Sequence, residues 1–117
     1  MRKLIGIGSI AALVLSTPVT AEVQHGVTVY PGAKPDPQVA AELKKAMKIT
    51  AHTYRTGDSV EKVSQFYRSQ KLKEMPGADT KQAGFMADGV HVTVQNPWMD
   101  MKSGKVNNDT LISIVKK

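Results

Sequence analysis

The sequence predicts an α+β fold, with two helices packed on one face of a small, mostly antiparallel sheet of four to five strands. Three observations lead there. Apolar residues recur at three- and four-residue steps in two stretches, 39–47 and 60–67, which is the period of an amphipathic helix. Valines alternate with polar residues on the return side of Asp88-Gly89, the dipeptide that a tight type I′ hairpin requires. Short strand patterns and helix patterns follow one another with only turn residues between them, and layering helices on a sheet is the economical way to bury both kinds of stripe.

Taken in order, residues 23–30 read as a half-buried strand, with Val27 and Val29 on one face and Thr28 and Tyr30 on the other; Pro31-Gly32 ends it. Asp36 then serves as an N-cap, and Pro37 takes the first helical position, where its missing N–H costs nothing. Val39, Ala40, Leu43, Ala46 and Met47 form the stripe of this helix, and Lys44, Lys45 and Lys48 lie near its C-terminal end, where the helix dipole favours cations. Residues 49–56 read as a strand ended by Gly57. Asp58 with Glu61 makes a capping-box-like start for the second helix, whose stripe is Val60, Val63, Phe66 and Tyr67 and which runs to Gln70 or Leu72. Beyond Met75-Pro76-Gly77 come a hairpin, 81–87 and 90–95, and a proline interruption at Asn96-Pro97. A further strand is expected over 98–102, and the last runs over 110–115 with Ile112 and Ile114 on one face.

Bulk properties place the expected domain outside the cytoplasm. A basic start (Arg2, Lys3), an apolar run from Leu4 to Leu15 and the permissive Val19-Thr20-Ala21 make residues 1–21 a secretory signal peptide, with a mature domain over 22–117. The apolar run is shorter than the roughly 20 residues that span a bilayer, so no transmembrane anchor is expected after cleavage. With no cysteine, the domain has neither a disulfide nor a lipid-modified cysteine, and its stability rests on its core. Loss of Arg2 and Lys3 takes the 16 basic residues to 14 against 10 acidic ones, a mild positive excess. Such a balance serves solubility and gives at most a weak attraction to anionic surfaces. Nucleic acid is disfavoured as a partner, because the basic residues are not interleaved with aromatics.

Two resemblances follow from short motifs. Val29-Tyr30-Pro31-Gly32-Ala33, then 54–63 from Tyr54 through Asp58-Ser59 to Val63, and Phe66-Tyr67-Arg68, together resemble a loose family of uncharacterised exported bacterial proteins with a "YPGA" turn and a "YxTxDSxEKVxxFY" element. That resemblance implies an extracytoplasmic domain and no catalytic residue. Trp98-Met99-Asp100-Met101 resembles the tryptophan and M-x-M element of small periplasmic copper chaperones, although here no residue separates Trp98 from Met99. It implies a soft-metal site in which the tryptophan caps the ion and a histidine from another strand completes the ligand set.

The candidate binding residues are therefore Trp98, Met99, Met101 and His91, with His52 as the other histidine that could serve a metal. Thioether and imidazole suit Cu(I), the one cofactor the sequence suggests. His91 is eight residues before Met99, about 26 Å along an extended chain, so only a reversal at Asn96-Pro97 brings them together. Catalysis has less support. There is no G-x-S-x-G elbow, and the three histidines, His25, His52 and His91, sit in three separate expected strands. The expected role is a periplasmic or secreted, non-catalytic binding or accessory domain that meets an envelope protein or a small ligand through one sheet face. The alternatives are a periplasmic Cu(I)-binding protein and a small hydrolase of unrecognised type.

Overall fold

The computed structural model describes residues 22–116, so the signal peptide expected at 1–21 lies outside the described residues. The chain runs β1 (Val23–Gln24), β2 (Val27–Thr28), β3 (Lys34–Pro35), α1 (Pro37–Met47), β4 (Ala51–Thr56), α2 (Val60–Ser69) and β5 (Lys73–Glu74). It continues with β6 (Gln82–Ala87), β7 (Val90–Gln95), β8 (Trp98–Met99), β9 (Val106–Asn107) and β10 (Thr110–Lys116). Six of the strands form one antiparallel sheet in the order β3-β4-β10-β7-β6-β5, and β1–β2 and β8–β9 are separate two-stranded ribbons. No helix among the described residues is long and apolar enough to cross a membrane.

The α+β class is as expected, but the sheet is larger than four to five strands. The additional edge strands β3 and β5 have two residues each, too few to show an alternating pattern. Their composition suits an edge: Pro35 has no N–H to offer a further strand, and lysine on both β3 and β5 discourages pairing with another chain.

The expectation that both helices share one face is corrected by strand alternation. Tyr54, Ile112, Ile114, Val92 and Val94 point to one side, where Val60, Val63 and Tyr67 of α2 close the main core. Leu111, Ser113 and Val115 point to the other side, toward α1. The reason is β10 itself. Thr110 through Ile114 are all buried, and a strand apolar on both faces needs a layer on each. On the α2 side the cover is complete, with Tyr67, Phe85, Ile112 and Ile114 fully buried.

Local starts and stops differ from expectation in several places. The strand expected over 98–102 stops at Met99, and the chain turns over 101–103. The first strand is broken into a ribbon by a turn at His25-Gly26, both with positive φ. Helix α2 is capped by Ser59, whose hydroxyl accepts the Lys62 N–H at 3.1 Å, and not by Asp58. Asp58 accepts the Tyr30 hydroxyl at 2.6 Å instead, so the two halves of the "YPGA" and "DSxEKV" pattern are tied to each other in space. The Asp88-Gly89 hairpin forms with Ala87 opposite Val90 and both turn residues at positive φ, as a type I′ turn requires.

Candidate functional site

Helix α1 begins where the sequence places it. The Asp36 carboxylate accepts the Val39 N–H at 3.2 Å and Pro37 opens the first turn. At the other end Lys48 turns left-handed, φ 60°, and its N–H reaches the carbonyls of Leu43 and Lys44. The apolar stripe faces the sheet, yet no residue of α1 is buried. Its eleven residues pack on β4, and toward β10 the same sheet face stays open. A groove of about 450 Å³ results, with Val39, Leu43 and Met47 as one wall and Leu111 and Val115 in its floor.

Strand β8 and the turn that follows it make the far wall. Trp98 is only 5 % exposed, and its indole N–H donates to Asp109 Oδ1 at 2.9 Å. The Arg55 guanidinium lies 4.9 Å above the indole ring, within cation–π range, and donates to Asp109 Oδ2 at 2.7 Å and to Asp36 Oδ2 at 3.3 Å. Burial pushes the Asp109 carboxyl up, but the hydrogen bonds from Arg55 and Trp98 outweigh it and hold the group below the usual aspartate value. This network ties the N-terminal end of α1, strand β4 and the β8–β9 ribbon together, and so sets the groove's width at that end. Asp100, in the turn that follows β8, is occupied locally; its carboxylate accepts the N–H groups of Lys102 and Ser103 at 2.8 and 3.3 Å.

The candidates singled out from sequence are divided between the two faces. Met99 and Met101, 62 % and 49 % exposed, stand at the groove, and half-buried His91 lines it from β7. Trp98 is a wall and a packing anchor. His52 does not belong with this group: it pairs with Ile114 in register, faces the α2 side, and its ring centroid is 5.2 Å from that of His25. His25 lies in the β1–β2 turn and not in a strand, so two of the three histidines meet and the third is on the opposite face of the sheet.

The contributions of α1 and β10 are absent from the sequence-based site. Met47, 55 % exposed, joins Met99 and Met101 as a third methionine lining the groove. The signal that could have found this face is that Leu111 and Val115 are apolar on one side of the strand and Ile112 and Ile114 on the other, with Ser113 the single polar residue between them, which calls for cover on both sides. In comparisons with family models, curated proteins and solved structures, nothing matched the chain significantly.

Proposed function

We propose that the chain is an exported, non-catalytic binding domain of the bacterial cell envelope that takes a small apolar ligand in the groove between α1 and the β7–β10 face. The observation that carries this reading is the groove itself. Its lining includes Val39, Leu43, Leu111 and Val115 and three methionines, each about half exposed or more, beside polar residues such as Gln38, Thr93 and Gln95. Methionine is flexible and polarizable, which suits a surface that must fit an apolar ligand without a fixed shape. A volume of about 450 Å³ falls inside the range of roughly 300–1,000 Å³ typical of small-ligand sites.

Trp98 is the sole tryptophan and lines the groove, so its fluorescence reports occupancy directly. Titration of the mature domain with an apolar dye should change that fluorescence with saturation, and the double variant Leu43→Gln with Val115→Gln should abolish the change while leaving the α2 core folded. Equal response from the wild type and the folded double variant removes the reading. Its export component is tested separately: N-terminal sequencing of protein from the periplasmic or culture fraction should begin at Glu22.

A second reading, Cu(I) binding, is supported by one observation, that Met99, Met101 and His91 line the same groove, with Met47 as a further thioether. These are soft and borderline donors of the type that ion takes. Competition with a Cu(I) chelator should then show submicromolar affinity that falls sharply in the double variant Met99→Ala with Met101→Ala. Unchanged affinity in that variant eliminates it.

A further inference from the structure

We infer that His25 and His52 form a two-histidine site for a zinc ion, which staples the β1–β2 ribbon to strand β4. The site lies on the α2 side of the sheet, opposite the groove, and does not depend on the groove being a binding site.

Ring geometry carries the assignment. The two imidazole centroids are 5.2 Å apart and the ring planes are at 59° to each other, so the rings are tilted and not stacked. A zinc–imidazole bond is about 2.1 Å and the ring centre lies about 1.1 Å beyond the nitrogen, which puts each centre about 3.2 Å from the ion. Two such rings at the tetrahedral angle have centres about 5.2 Å apart, whereas at the right angle of a square-planar ion they are about 4.5 Å apart. The observed separation matches the first, so the pair has the spacing that a tetrahedral ion asks of two imidazoles.

The backbone supplies an independent observation. Gln24 pairs with Val27, so His25 and Gly26 are the whole of the β1–β2 turn, and His25 takes its first position at φ 53°. Two-residue turns of this kind select asparagine, aspartate or glycine there, because the residue must tolerate a left-handed backbone. Histidine is not what the turn itself asks for, and its ring lies against the one imidazole on β4. Neither ring is otherwise engaged. No hydrogen bond or ion pair reaches His25 or His52 among the described residues, while the neighbouring Glu22, Gln24 and Tyr54 are bonded to one another. His25 is exposed and His52 half-buried, so an ion reaches the pair from solvent.

The surroundings set the strength of the site. No third histidine, cysteine, aspartate or glutamate completes a ligand group with them among the described residues, so water fills the remaining positions and the affinity is moderate. Glu22 is near enough to feel the charge of His52, and its carboxylate favours a cation there. Lys116 opposes it, standing on the same side of β10 as Ile114, the residue opposite His52. Its ammonium is on a long stem that reaches water, where the repulsion is screened.

The test is calorimetric titration of the untagged mature protein with zinc, with thermal unfolding in parallel. One ion per chain should bind with micromolar affinity, and zinc should raise the unfolding midpoint because it binds the native state. His25→Asn and His52→Gln should each weaken binding on the order of tenfold or more, while His91→Gln, on the opposite face, should leave it unchanged. Asparagine suits the turn, so His25→Asn should unfold no earlier than the wild type without zinc and should lose the rise that zinc gives. No binding, or equal binding by the folded His25→Asn variant, would overturn the proposal. Loss of binding with His91→Gln and not with the other two would place the ion in the groove and overturn it as well. Binding of Cu(II) without binding of zinc would overturn the tetrahedral assignment.

Discussion

Two phenol–carboxylate contacts hold the amino-terminal segment to the body of the fold. Tyr30 donates to Asp58 at 2.6 Å and Tyr54 donates to Glu22 at 2.5 Å. Burial first, and then the hydrogen bond to a carboxylate, push both phenols up to about 12. A raised folded-state value means that the stabilisation is complete below the unfolded phenol value of about 10 and is lost as pH rises toward the folded value. Stability should therefore decline between pH 10 and about 12, with tyrosinate absorbance appearing together with loss of structure and not before it. Tyr54→Phe should cost about 1 kcal/mol at neutral pH, the net worth of a hydrogen bond, because Glu22 is exposed and regains water, and should flatten the alkaline decline. A steeper decline in the variant would contradict this. Ser64 presents the opposite case: its buried Oγ has no partner among the described residues, on a helix face otherwise made of Val60, Val63 and Tyr67. Ser64→Ala should leave stability unchanged or raise it by up to about 1 kcal/mol, since it removes an unsatisfied hydroxyl and adds helix propensity. A lower midpoint in urea would show that the hydroxyl is satisfied after all.

At the scale of single elements, sequence is informative where the determinant is local. The α1 cap by Asp36 with Pro37, the Asp88-Gly89 hairpin and the inward face of Val90, Val92 and Val94 all depend on neighbours within a few residues, and all were legible. The start of α2 was not. Asp58 and Ser59 are both good caps, and the choice falls to Ser59 because Tyr30, 28 residues earlier, takes the Asp58 carboxylate. Ser59→Ala should thus cost about 1 kcal/mol through the lost cap, as caps of this kind do. Asp58→Asn should leave the helix start intact and loosen the Tyr30 segment. Equal fraying of α2 in the two variants, measured by hydrogen exchange of its first turn, would reverse that assignment. The site was legible in part for a similar reason: Met99, Met101 and His91 carry chemistry that can be named from residue type, but the groove also needs α1, and its position depends on which face of β10 it covers. A continuous apolar strand permits either face until the rest of the sheet is assembled.

For the molecule as a whole, the two helices bear unequal loads. Helix α2 contributes four buried residues and closes the core, whereas α1 contributes none. Local opening free energy follows buried contact, so amides of α1 should exchange with solvent well before those of α2 and β10 in native-state hydrogen exchange, and ligand in the groove should slow α1 selectively. Uniform protection of both helices would indicate one cooperative unit. Arg55 and Asp36 pin α1 at its beginning, while its last turn ends in exposed Met47. The other end is tethered by the chain itself, because only three residues separate Met47 from the start of β4 at Ala51, so α1 is fixed at both ends and thinly packed between them. If the cleft is filled as proposed, the consequence is thermodynamic: the more an occupant stills that thinly packed helix, the more of its gain in contact is offset by lost motion.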